Sequence, residues 1–320
     1  MRAHFSAGFL LLGALFFAAA AGAEEPSDKP AATAAPAPAC RLGRVASLEL
    51  STRPDGGITV PVEIQGQTGQ MLVDTGSIYS VIGKSEALSR GLNVKLANMF
   101  LSYLGGVPMY EMTRTDRIAI GNMVGKDLSL MVIDSKHLPH DTIGMLAPDV
   151  LRGFDVEFDF AAGKFNLFDP DHCPGQVVYW TKTPYAAVPM HIDESGHIII
   201  QVTLNGKTVS AGVDTGADRS TITLGLAKSL FGIDANDPKL VTMGKVSVNG
   251  TAAAPLYRYP FDTLILEGVT VNHPVIDILD GERFSAGDNL MILGVKTLRQ
   301  LHMYIAYKEN VVYFTPAEAR

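Results

Sequence analysis

The tripeptide Asp74-Thr75-Gly76 recurs as Asp214-Thr215-Gly216, and its surroundings recur with it. Each copy follows a short apolar run, Met71-Leu72-Val73 or Ala211-Gly212-Val213, and each is followed at equal offsets by Ser80 and Ile82 or by Ser220 and Ile222. The same spacing of 140 residues pairs Gly66 with Gly206, Ile64 with Leu204, Val62 with Val202, Gly56 with Gly196 and Leu50 with Met190. An offset held over that length marks one structural unit used twice. Further along the spacing becomes 147, pairing Gly121 with Gly268, Leu146-Ala147 with Leu293-Gly294, Leu151 with Leu298 and Phe160 with Tyr307. The second half therefore carries seven extra residues between its motif and its tail.

The ends and the composition narrow the class. Residues 1–23 read as a secretory signal: Arg2 is followed by an apolar stretch over 9–20 and by Ala21-Gly22-Ala23, a small-residue cleavage site. An uncleaved anchor is the alternative for this segment, and no later stretch is apolar and long enough to cross a membrane. Residues 24–45 read as a flexible leader, Ala- and Pro-rich over 24–39 and poor in large apolar side chains. The remainder, in a chain that is 47% hydrophobic, is long enough for a large core. A formal charge of −7 argues against a nucleic-acid partner. Only two cysteines occur, Cys40 before the first half and Cys173 after it. In an exported protein they invite pairing, with two free thiols as the alternative.

Both halves read as mainly β. Short alternating or β-branched runs lie at 58–64, 70–73, 117–120, 128–133, 156–160 and 165–168, then at 197–204, 209–213, 263–266, 275–278, 303–307 and 311–314. Asn205-Gly206 between two of them signals a hairpin. Helical pattern is confined to 84–90, 224–230 and short turns near 148–152 and 296–301. The expected architecture is two similar lobes, 46–170 and 186–316, joined by a polar, Pro-containing linker at 171–185, with a cleft where the two Asp-Thr-Gly loops meet.

The paired motif has its own chemistry. Two carboxylates held close together cannot both ionise, so the pair of Asp74 and Asp214 takes up one proton. One member then acts as base toward a water while the other donates a hydrogen bond to the carbonyl under attack. Thr75 and Thr215 can hydrogen-bond across to the opposite loop, and Gly76 and Gly216 let backbone approach where a side chain would intrude.

The stretches Leu72-Val73-Asp74-Thr75-Gly76-Ser77 and Val213-Asp214-Thr215-Gly216-Ala217-Asp218 resemble the active-site loops of aspartic peptidases. The first resembles the pepsin type and the second the retroviral type. The chain as a whole, over about 46–316, resembles bacterial exported proteins with two retropepsin-like domains in tandem. The resemblance implies catalytic Asp74 and Asp214, supported by Thr75, Gly76, Ser77, Thr215, Gly216 and Ala217. It also implies apolar segments crossing behind each loop, which Met145-Leu146-Ala147 and Ile292-Leu293-Gly294 fit, the first with Ala in place of Gly. A covering flap is expected at 103–110, where Tyr103, Gly105, Gly106 and Tyr110 are the candidates. The region 243–259, with Val248-Asn249-Gly250-Thr251, is a candidate second flap, and the sequence leaves one flap or two open.

The implied function is a cofactor-free aspartic endopeptidase acting on peptide or protein substrates in the periplasm or outside the cell. The alternatives are an inactive peptide-binding module on the same fold, or a β-sheet adaptor whose duplicated loops serve packing. The histidines lack metal-ligand spacing, so no metal site is expected. Asp149, Asp155 and Asp159 read as helix-cap, turn and solvated strand-end residues, and Trp180 as a packing residue. Ser77 facing Ala217 suggests one hydroxyl donor to the dyad where a relative could have two, which would place the working pH nearer neutral.

Overall fold

A computed structural model of the protein describes residues 41–102, 107–194, 196–247, 253–281 and 290–318. The expected signal (1–23), most of the leader and Cys40 lie outside the described residues. The chain is mostly β, and the repeat is visible in strand order. In the first half, nine strands lie side by side in the order Lys95–Ser102, Pro108–Thr115, Leu128–Ile133, Val81–Gly83, Gly144–Leu146, Gln67–Val73, Ile58–Ile64, Ile118–Ile120 and Met123–Gly125. The second half repeats that order with Val241–Val246, Ala254–Pro260, Val275–Leu279, Thr221–Thr223, Leu290–Leu293, Lys207–Val213, Ile198–Leu204, Thr263–Leu266 and Val269–Asn272.

The hairpin preceding each motif shows why the sequence folds this way. Ile58, Val60, Val62 and Ile64 alternate onto the core, as do Ile198, Ile200, Val202 and Leu204. Each hairpin turns on a pair with positive φ, Gln65-Gly66 (52° and 78°) and Asn205-Gly206 (42° and 77°). That is the backbone a tight two-residue turn demands, and Gly in second place meets it without steric cost.

A further sheet joins the halves. Its order is Arg44–Glu49, Lys164–Phe168, Asp155–Asp159, Leu301–Ala306, Val311–Pro316 and Ala186–Ile192, three strands from each half. The two central strands pair antiparallel, with Phe158 opposite Met303 and Glu157 opposite Tyr304. Val156, Phe158, Met303, Ile305 and Phe314 fill the main core on one face. On the other, Val177, Val178 and Trp180 from the connecting segment pack with Phe168, Tyr304 and Tyr313.

This covering changes the reading of the acidic residues. Asp155 and Asp159 are buried, with Glu157 between them; Asp159 does end its strand and accepts the Ala162 N–H of the following turn at 3.0 Å, but it is not solvated. Asp155 meets His172 Nε2 at 2.5 Å and accepts from Tyr304 Oη and the Tyr307 N–H at 3.2 Å each. Glu157 accepts from Asn166 at 2.5 Å and Tyr179 at 2.8 Å, and lies 2.8 Å from His302 Nε2. Buried carboxylates persist where partners satisfy them, and here all the partners named but Asn166 come from the linker or the second half. Trp180 packs as expected, stacked on His302 with centroids 4.2 Å apart.

Candidate active site

Each Asp-Thr-Gly loop is the end of a central strand. Gln67–Val73 runs parallel to Gly144–Leu146, and Lys207–Val213 runs parallel to Leu290–Leu293. The crossing strand then fixes the first residue of each loop, because the Asp74 N–H donates to Leu146 O at 2.9 Å and the Asp214 N–H to Leu293 O at 3.0 Å. These are the apolar crossing segments the resemblance implied. The two differ at their ends. A Cβ on Gly294 would lie 2.4 Å from the Arg219 carbonyl carbon, so the second loop runs against bare backbone where the first half has room for Ala147.

The loops grip each other through their threonines. The Thr75 N–H donates to Thr215 Oγ1 and the Thr215 N–H to Thr75 Oγ1, each at 3.0 Å. Each hydroxyl donates a hydrogen bond across to the strand preceding the opposite aspartate, Thr75 to Val213 O and Thr215 to Val73 O, both at 2.7 Å. All four bonds are buried. The glycines bring the carboxyls in: a Cβ at Gly76 would lie 2.3 Å from Asp214 Cγ, and one at Gly216 would lie 2.3 Å from Asp74 Cγ. Each carboxyl thus sits over the glycine of the other loop.

The pair is buried, and burial raises both carboxyls. Burial, then the neighbouring Asp214 charge, holds the Asp74 carboxyl well above the usual carboxylate range despite the Gly76 N–H at 2.9 Å. Burial raises Asp214 as well, but N–H groups of Gly216 at 2.8 Å and Ala217 at 3.0 Å favour its anion. One carboxyl of the pair therefore holds a proton while the other carries the negative charge, and the two titrate as a unit. The Ser77 hydroxyl lies 3.5 Å from Tyr79 O, so on this side it is the Ser77 backbone N–H that favours the carboxylate. In place of the hydroxyl asymmetry expected between Ser77 and Ala217, each carboxyl is favoured as an anion by two backbone N–H groups, those of Gly76 and Ser77 or those of Gly216 and Ala217.

Behind the loops lies a second set of bonds. Ser80 Oγ donates to Asp149 at 2.6 Å and accepts the Ala147 N–H at 2.9 Å, while the Ser80 N–H reaches Asp149 at 3.0 Å. In the second half Ser220 Oγ accepts the Gly294 N–H at 3.1 Å and pairs with Thr297 Oγ1 at 2.7 Å. Asp149 is thus an anchor of the first loop, not a helix cap. The shared offset of Ser80 and Ser220 was the available signal, but their partners lie far away in sequence.

Two hairpins stand at equivalent outer positions, Lys95–Ser102 with Pro108–Thr115 and Val241–Val246 with Ala254–Pro260. Tyr103, Gly105, Gly106 and the 248–251 turn lie outside the described residues, and Tyr110 is exposed on the returning strand. Cys173 lies in the segment linking the halves, with its carbonyl 3.2 Å from His172 Nδ1. Among the described residues no group of three or more His, Cys, Asp or Glu could hold a metal ion. No described helix is long and apolar enough to cross a membrane.

Two repeated β halves that bring paired Asp-Thr-Gly loops face to face define a bilobal aspartic-peptidase fold. A family model described as "Aspartyl protease" matches residues 60–147 and again 200–297, one match in each half. The chain belongs to the aspartyl protease family. Among solved structures it is similar to the basic 7S globulin from soybean, with a TM-score of 0.53 and 11% identity, covering 87% of this chain and 96% of that one. At that identity the likeness is one of fold. No curated protein matches the chain.

Proposed function

We propose that the protein is an aspartic endopeptidase that hydrolyses peptide bonds with a water held between Asp74 and Asp214. The observation that carries this reading is the placement of two buried carboxyls, each over the glycine of the other loop, with both proton affinities raised by burial. Asp214, as carboxylate, takes a proton from the water as its oxygen bonds to the peptide carbonyl carbon. Asp74, as acid, gives its proton to the carbonyl oxygen, and a tetrahedral diol forms. Proton transfer to the nitrogen from the carboxyl that received the water's proton, with return of a diol proton to Asp74, breaks the C–N bond. An amine and a carboxylic acid are released and the dyad is restored. The fold holds the dyad rigidly enough for this, since the four threonine bonds fix both loops at once.

The cleft suits an extended peptide, and the paired hairpins are the elements that would cover it. Digestion of a peptide library by the mature protein across pH tests the reading: cleavage that stops with a dyad inhibitor supports it, and binding without cleavage would favour the peptide-binding alternative. We further propose lobes at 46–170 and 186–316 joined by 171–185, export directed by 1–23 and followed by the leader 24–45, and a disulfide between Cys40 and Cys173. The support is the leader composition and the cysteine positions. Non-reduced peptide mapping of protein recovered after export checks the disulfide, and two separately alkylated thiols would exclude it.

A further inference from the structure

We infer that His197 is a positioning residue of the dyad, whose imidazolium holds the negative charge on Asp214 and so leaves the shared proton on Asp74. The inference rests on the peptidase reading above for its catalytic meaning, but its geometry is independent of it. In the hairpin that carries Asp214, Ile199 lies opposite Gly212. Carried two residues beyond the paired stretch, that register would place His197 across from Asp214. Ile198 and Val213 point into the core, and alternation continued one residue past each strand end would turn His197 and Asp214 to the opposite face. Residues opposite one another on one face of an antiparallel pair are close enough for charge to act strongly.

The ring is held from the side away from the dyad. The His197 N–H donates to Asp193 Oδ1 at 2.9 Å, and Nδ1 lies 3.1 Å from Asp193 Oδ2. The turn between them is closed by the Gly196 N–H on Asp193 O at 2.9 Å and the Asp193 N–H on His197 O at 3.0 Å. The two Asp193 oxygens therefore hold both the backbone and the Nδ1 edge of His197 and fix the plane of the ring. The groups that bear on the ring's charge are Asp193 and Glu194 on this turn, Asp214 across the ladder and Asp74 beyond it.

The first half lacks this device. At the repeat spacing, His197 corresponds to Gly57, opposite Asp74 by the same register, since Thr59 lies opposite Leu72. The cation near Gly57 is Arg53, whose Nε and Nη2 are engaged by Asp55 and whose Nη1 donates to His140 O at 2.6 Å. One aspartate of a symmetric scaffold thus has a histidine across from it, and the other has a glycine beside a neutralised pair. The electrostatics agree: His197 is among the groups that favour the Asp214 anion, and the Asp214 charge in turn pushes Asp74 up.

The test is a carbon-13 titration of the aspartate carboxyls in the full mature protein, compared among wild type, His197→Gln and His197→Lys, with peptide pH–rate profiles alongside. Loss of the cation should raise the first apparent pKa of the dyad by about one pH unit, the order expected for a charge one strand away. The acid limb of the rate profile should move up with it, and His197→Lys should restore both. A His197→Gln titration that superimposes on wild type overturns the inference. So does a shift shared equally by His197→Gln and His197→Lys, which would mean packing and not charge. If wild type cleaves no peptide, the peptidase reading fails while the carboxyl titration still decides the role of His197.

Discussion

Glu157 and Tyr304 lie directly opposite each other in the sheet that joins the halves, and at the 147-residue spacing they are also counterparts in the repeat. A residue paired with its own counterpart lies on the pseudo-two-fold axis. The same axis relates Thr75 to Thr215 and Asp74 to Asp214, so the joining sheet and the dyad are two levels of one symmetric frame. The chemistry on the frame is not symmetric. Glu157 gathers Asn166, Tyr179 and His302, while Tyr304 donates to Asp155.

The threonine grip should be a large share of interlobe stability. Thr75→Val removes the donor to Val213 O and the acceptor of the Thr215 N–H and leaves both buried without partners. The expected loss is about 1–3 kcal/mol for each orphaned group, read as a lower urea midpoint. A loss under about 0.5 kcal/mol, the level of an ordinary surface change, would remove the grip from the account.

Gly294→Ala should destabilise by about 1–3 kcal/mol or more, because the new Cβ meets the Arg219 backbone and not a movable side chain. Ala147→Gly, at the matching position of the first half, should cost less, since it removes one methyl and adds backbone freedom. Equal thermal shifts for the two variants would contradict the close approach seen behind the second loop.

His172 gives the linker a pH dependence. Burial alone would lower its pKa, but the hydrogen bond and charge of Asp155, with the Cys173 carbonyl and Glu309, leave it raised above the ordinary histidine value. A folded pKa above the unfolded one adds stability fully present below about pH 6.5 and lost as pH rises through the folded value. Wild type should therefore exceed His172→Gln in urea midpoint by more at pH 5.5 than at pH 9. A gap that widens toward alkaline pH would reverse the sign and the assignment.

What the sequence revealed depended on how local the signal is. The 58–64 strand was legible because its apolar residues alternate, and the Asp-Thr-Gly loops because the repeat printed them twice. The crossing strand Gly144–Leu146 could be placed only by resemblance, and Val81–Gly83 and Thr221–Thr223 are too short to show a period. Ala186–Ile192 was hidden by Pro189, which is tolerated because that residue pairs only toward the Val311–Pro316 strand. Asp149, Asp155 and Asp159 looked like ordinary turn and surface acids, since partners such as Ser80, His172 and Tyr304 are brought to them only by the tertiary fold. His197 carried no pattern at all until strand register set it across from Asp214.

The most direct test of the account is turnover by Asp74→Asn and Asp214→Asn, measured on a cleaved peptide with folding checked by near-ultraviolet circular dichroism. Either change stops the two carboxyls from sharing one proton and holding the attacking water. Each variant should keep its tertiary signal and lose turnover by more than about 10³-fold. Near-wild-type turnover in either folded variant would contradict the assignment of Asp74 and Asp214 as the catalytic pair.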